Sequence, residues 1–201
     1  MTGAGPAWDA IASGWHAPTG LLVLLGVTAT AYAVGVGRVT RDARAGRRGR
    51  RWPIARSLAF AGGLLAVLVA LASGLDARAD VELSTHMLQH LLITTVAAPL
   101  LVAGAPLSLA LQAARGSTRR ALAELVRSRA VRLLTAAPVA FAAFAAATLG
   151  THLTGFYDAA LRVPLLHAGE HLLYLATAVL FWLPLIGANP VPQLRSWAGR
   201  T

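Results

Sequence analysis

Long apolar runs separated by short, arginine-rich stretches set the pattern of this chain. Runs at about 18–37, 54–75, 83–114, 131–150 and 165–187 are each long enough to span a bilayer as a helix. About 20 residues rising about 1.5 Å each cover a hydrocarbon core of about 30 Å. The third run exceeds that need and holds Pro99 and Pro106, so it is expected to kink, tilt or project beyond the bilayer. The pattern predicts an all-α, polytopic transmembrane helix bundle. Its single domain covers 18–187, between an outer tail at 1–17 and an inner tail at 188–201.

Charge then orients the bundle. Arg38, Arg41, Arg44, Arg47, Arg48, Arg50 and Arg51 follow the first run. Arg115, Arg119, Arg120, Arg127, Arg129 and Arg132 follow the third, and Arg195 and Arg200 follow the fifth. The opposite side holds Arg78 and Arg162 among Asp9, Asp76, Asp80, Glu82 and Asp158. The positive-inside rule puts the N-terminus outside and the C-terminus inside. Ala31-Tyr32-Ala33 resembles a leader cleavage site, but the basic residues follow the apolar run instead of preceding it, the wrong polarity for a cleaved signal.

Trp8, Trp15, Phe156 and Tyr157 suit the outer interface, and Trp52 and Trp197 the inner one. Ala55, Ala59 and Gly63 form a small-residue stripe suited to close helix packing. The stretch 116–130 reads first as a solvated inner loop, with a short amphipathic surface helix as the alternative.

Composition narrows the function. With 56% hydrophobic and 13% charged residues and a mean hydropathy of +0.61, the chain is membrane-integral. The net charge of +10 is accounted for by the loop arginines, so nucleic acid is not expected as a partner and the lipid bilayer is. There is no Cys, which removes disulfides, thiolate metal sites and haem attachment through Cys-x-x-Cys-His. A metal would need His, Met, carboxylate or backbone ligands. No Gly-x-Ser-x-Gly, P-loop or His-Glu-x-x-His pattern occurs, so an enzyme is not expected and no small-molecule substrate is evident.

The six histidines carry the candidate chemistry. Under the predicted topology His16, His86, His90, His152, His167 and His171 all fall at the outer face. His86 and His90, and again His167 and His171, stand four apart and share a helix face. Glu82 extends the first stripe; Glu170 and Tyr174 accompany the second. A carboxylate beside a ligand histidine can fix its tautomer. Met87 adds a soft thioether, His152 is a further candidate, and His16 reads as a bystander. If the pairs converge, copper is preferred, zinc comes second and haem b third. The plain alternative is ordinary hydrogen bonding at the ends of two helices. A haem-b electron-transfer protein, a metal transporter and a scaffold remain open; the near absence of ionisable groups at mid-membrane weighs against transport.

The third run reads Ser84-Thr85-His86-Met87-Leu88-Gln89-His90, then Ala98-Pro99-Leu100-Leu101-Val102-Ala103-Gly104-Ala105-Pro106-Leu107. Further on come His152, Phe156-Tyr157-Asp158, His167, Glu170-His171 and Leu180-Phe181-Trp182-Leu183-Pro184. These motifs resemble those of the CtaG-type cytochrome c oxidase assembly factors of bacteria, from about the first run to Asn189-Pro190. The resemblance implies a plasma-membrane assembly factor that associates with cytochrome c oxidase subunits and binds or delivers copper. Its functional set would be His86, Met87, His90, His152, His167 and His171. Members of that family carry about seven spans, so the resemblance also implies a chain shortened at its C-terminus.

Overall fold

The computed structural model describes residues 14–47, 51–79 and 82–191, without the side chains at 157, 158 and 161. Trp8, Asp9, Arg48, Arg50, Asp80, Arg195, Trp197 and Arg200 lie outside the described residues, as do the side chains of Tyr157 and Asp158. Every element within them is helical.

Helix α1 (Thr19–Arg44) begins after Pro18. It ends with Arg41 and Arg44 in its last turn, where cations favour the negative end of the helix dipole. Helix α2 (Ile54–Ala72) likewise follows a proline, Pro53, and stops at Ser73, whose hydroxyl turns back onto the Val69 carbonyl at 2.6 Å. A short α3 (Gly74–Ala79) leads to α4 (Leu83–Leu91).

From α4 the chain continues into a π-helical segment, Leu92–Ala97, and then α5 (Ala98–Ala103). Pro99 explains the wide turn: it offers no N–H, and its ring crowds the carbonyl one turn back. The Thr94 and Thr95 hydroxyls donate to the carbonyls of His90 and Leu91, and Trp182 Nε1 donates to the Thr94 carbonyl at 2.8 Å. The expected distortion therefore takes the form of a π turn with its polar groups satisfied. A real break follows at Gly104–Ala105, where Ala105 adopts a left-handed φ of 53° before α6 (Pro106–Ala113).

Next come α7 (Gly116–Arg127), α8 (Arg129–Leu134), α9 (Ala137–His152), α10 (Phe156–Arg162) and α11 (Pro164–Ile186). The stretch expected as a solvated loop is thus helical; none of the α7 residues is buried.

Four helical stretches among the described residues are long and apolar enough to cross a membrane: Thr19–Arg44, Ile54–Ala72, Leu83–Ala113 and Pro164–Ile186. The expected fourth span, 131–150, needs correction. It is broken at Thr135–Ala136, and the apolar helix beyond the break, α9, has 16 residues. Pro138 is the cause, since a proline ring clashes with the carbonyl of the preceding turn and so ends α8. At about 1.5 Å per residue α9 reaches about 24 Å, short of the full core.

Helix α11 packs on α9, α5 and the π segment; α2 packs on α5 and the π segment; α1 lies against α6. Close approach of α2 and α5 depends on two glycines. A Cβ at Gly63 would sit 2.8 Å from the Leu101 backbone nitrogen, and one at Gly104 would sit 2.6 Å from Phe60 Cβ. In the predicted small-residue stripe Gly63 makes this contact, whereas Ala55 is exposed.

Tyr32 stacks on Phe60 with centroids 3.9 Å apart, donates to the Gly104 carbonyl and accepts from Trp52 Nε1. Residues 188–191, expected to open a tail, lie against the bundle instead. Asn189 accepts from the Leu107 N–H at 3.1 Å and donates to the Val102 carbonyl at 3.0 Å, closing the break around Ala105. The outward faces carry Leu24, Val27, Leu58, Leu65, Leu165 and Leu172, all exposed. Such an apolar surface is suited to lipid.

Candidate metal centre

Helices α4, α9 and α11 meet at one end of the bundle, and their meeting point is lined with imidazoles. His86 and His90 project from consecutive turns of α4, with ring centroids 4.2 Å apart. His167 and His171 do the same on α11 at 4.4 Å. The two pairs face each other: His86 lies 5.5 Å from His167, and His90 lies 5.6 Å from His171. His152, the last residue of α9, stands 5.8 Å from His90.

Glu170 enters from α11, its side chain only 1% exposed. One ligand atom each from His86, His90 and Glu170 lie within 4.8 Å of one another. Both ring nitrogens of His90 and both carboxylate oxygens of Glu170 are buried without a hydrogen-bond partner. Burying such groups unsatisfied costs on the order of 1–3 kcal/mol each. An imidazole lone pair and a carboxylate aimed into one space form a donor set that a transition-metal cation fits.

A polar shell positions the rings. The Gln89 amide donates to the Ala70 carbonyl at 2.9 Å and to Asp76 Oδ1 at 2.7 Å. With both N–H groups directed at acceptors, its carbonyl oxygen accepts from His171 Nε2 at 3.1 Å. That holds the proton of His171 on Nε2 and leaves Nδ1 with its lone pair, the arrangement a ligating histidine needs. Around His152, the Tyr174 hydroxyl lies 2.8 Å from Nδ1 and 2.5 Å from Thr151 Oγ1. Met87 Sδ approaches His152 Nε2 at 3.1 Å.

All the candidates named from sequence except His16 therefore gather in one place: His86, His90, His167, His171, His152 and Met87. His16 stays exposed at the surface, tied to α2 by its backbone N–H to Ala72 at 2.8 Å. Glu82, expected beside the first pair, instead stands just before α4 with its carboxylate turned to two neighbouring hydroxyls. The Ser84 and Thr85 hydroxyls donate to its carboxylate and hold it below the ordinary carboxylate range. Sequence reasoning missed Gln89, Asp76 and Thr151. Gln89 carried a usable signal, because it lies three residues after His86 and so on the same helix face.

Fold and site together define a multi-pass helical membrane protein with a buried histidine–carboxylate cluster at one end. The chain belongs to the cytochrome c oxidase caa3 assembly factor family, which it matches over residues 30–201. The resemblance read from its motifs is thereby confirmed. Uncharacterized proteins of Mycobacterium bovis and Mycobacterium tuberculosis are each 28% identical over 181 residues, covering 87% of this chain and 27% of the relative. An uncharacterized protein of Mycobacterium leprae is 26% identical over 181 residues, covering 87% of this chain and 28% of the relative. The chain thus spans little more than a quarter of the length of these relatives. No solved structure matches it.

Proposed function

We propose that this protein holds copper in the cluster of His86, His90, His167, His171 and Glu170 and serves, without catalysis, in the assembly of a cytochrome c oxidase. One observation carries the reading. His90 and Glu170 present buried, unsatisfied donor atoms to a space walled by four further imidazoles. A scaffold with merely structural histidines would leave that cost without a return. Family membership supplies the oxidase as the partner. The arginine distribution supports an extracytoplasmic position for the cluster in a bacterial plasma membrane, N-terminus outside and C-terminus inside, a reading in which the short α9 also crosses.

Copper is preferred because imidazole ligands with a thioether beside them suit it. Zinc is the second reading, favoured by the Glu170 carboxylate within the donor set. Haem b fits less well: the rings stand 4.2–5.8 Å apart, which leaves no gap for a macrocycle between them.

The test is metal binding by the purified protein in detergent. Wild type should bind copper near stoichiometrically. The double variants His86→Ala/His90→Ala and His167→Ala/His171→Ala should each lose the ion held by the buried cluster. Undiminished binding in both would overturn the assignment.

A further inference from the structure

The contact between Met87 and His152 is chemically odd. His152 Nδ1 lies 2.9 Å from the Thr148 carbonyl oxygen, which can only accept a hydrogen bond. The proton of a neutral ring therefore sits on Nδ1. The neighbours agree: Thr151 Oγ1 donates to the Ala147 carbonyl at 3.0 Å, so it accepts from Tyr174, whose oxygen shares the Nδ1 proton with the Thr148 carbonyl. Nε2 then carries a lone pair and points at the Met87 sulfur, 3.1 Å away. A thioether is also an acceptor. In the neutral ring, two lone-pair groups thus face each other.

We propose that Met87 and His152 form a second, separate cation site at the mouth of the buried cluster, selective for a soft monovalent ion, Cu(I). Thioether with imidazole is the donor pair that distinguishes Cu(I) from zinc or other harder divalent ions. The position suits loading. Met87 is 37% exposed, whereas His86 is fully buried. The His152 ring is 5.8 Å from His90, so the mouth site adjoins the buried one. Met87 has a flexible side chain able to adjust around an ion. The assignment of the mouth as the loading step rests on the copper reading of the buried cluster; soft-ion binding by Met87 and His152 does not.

The experiment compares wild type, Met87→Leu, His152→Ala and His86→Ala/His90→Ala, each as the full chain in detergent. Ag(I) serves as the redox-inert stand-in for Cu(I), titrated against a competing chelator, and Zn(II) is titrated in parallel. X-ray absorption of the Cu(I)-loaded protein reads sulfur ligation directly. In wild type one Cu(I) should show a sulfur neighbour. Met87→Leu should remove that sulfur and weaken Ag(I) binding at least tenfold while Zn(II) binding stays unchanged. His152→Ala should weaken Ag(I) similarly. His86→Ala/His90→Ala should keep the sulfur-ligated ion. Unchanged Ag(I) affinity in Met87→Leu, absence of a sulfur neighbour in wild type, or loss of the sulfur-ligated ion in His86→Ala/His90→Ala would each overturn the proposal. A sulfur-ligated ion present in wild type, with nothing bound at the buried cluster, would instead overturn only the reading of that cluster and of loading into it.

Discussion

Gln89 and His171 lie 82 positions apart in sequence, yet the amide oxygen of one accepts from Nε2 of the other at 3.1 Å. The amide is held from behind by Ala70 and Asp76, so its orientation is set before the imidazole meets it. Sequence position along α4 places Gln89 beside the histidines; the turn through α3 brings Asp76 to it. Replacing Gln89 with Leu should leave His171 free to rotate and change tautomer. Loss of an outer-shell partner of this kind weakens metal binding by about 10–100-fold. Competition with a chelator would measure it, and equal affinity in the variant would show that His171 is not a ligand.

Glu170 should give effects of opposite sign on stability and binding. Its buried carboxylate has no hydrogen-bond partner, so the metal-free protein bears its desolvation cost. Glu170→Leu should raise the melting temperature of the metal-free protein, by about 1–3 kcal/mol of stability. The same variant should bind metal more weakly. Thermal unfolding in detergent with and without copper checks both. A variant less stable without metal would mean that Glu170 is a structural group.

Much of this fold was legible in the sequence, for a physical reason. A bilayer demands long apolar helices, and that demand shows as uninterrupted runs. The ends of those runs were less legible. Pro138 lies inside the expected fourth span, and the rule that proline ends a helix should have outweighed the apolar composition around it. The histidine pairs were visible because spacing of four is a local property. Their convergence was not, since it depends on how α11 meets α4. The same holds for Asp76, which reads as a loop acid until α3 folds it against Gln89. Ala105 was equally hidden, because a left-handed residue other than glycine leaves little trace in composition.

The break at Ala105 is held by Asn189, which is 2% exposed and serves the Leu107 N–H and the Val102 carbonyl together. Asn189→Ala would remove the acceptor of the Leu107 N–H and leave the Val102 carbonyl with the Ala105 N–H, at 2.9 Å, as its remaining donor. A loss of about 1–3 kcal/mol is expected, read as a lower melting temperature in detergent. Metal affinity should be unchanged, because this clamp lies among α5, α6 and the end of α11, away from the histidines. A fall in affinity without a fall in stability would contradict that separation.

Gly63 tests the contact on which the bundle's shape rests. Its α-carbon hydrogens face Leu101, and a Cβ there would lie 2.7 Å from Leu101 Cγ and 2.8 Å from its backbone nitrogen. The side chain could shift; the backbone nitrogen could not without moving α5 as a whole. Because α5 continues directly from the π segment and α4, such a shift would carry toward His86 and His90. Gly63→Val should therefore cost more than an ordinary overpacking change of about 1–3 kcal/mol, and it should also weaken metal binding at a distance. Gly62→Val is the control, since a Cβ there meets only Leu100 Cδ1 at 3.6 Å. Equal behaviour of the two variants, in melting temperature and in chelator competition, would show that the α2–α5 contact does not position the cluster.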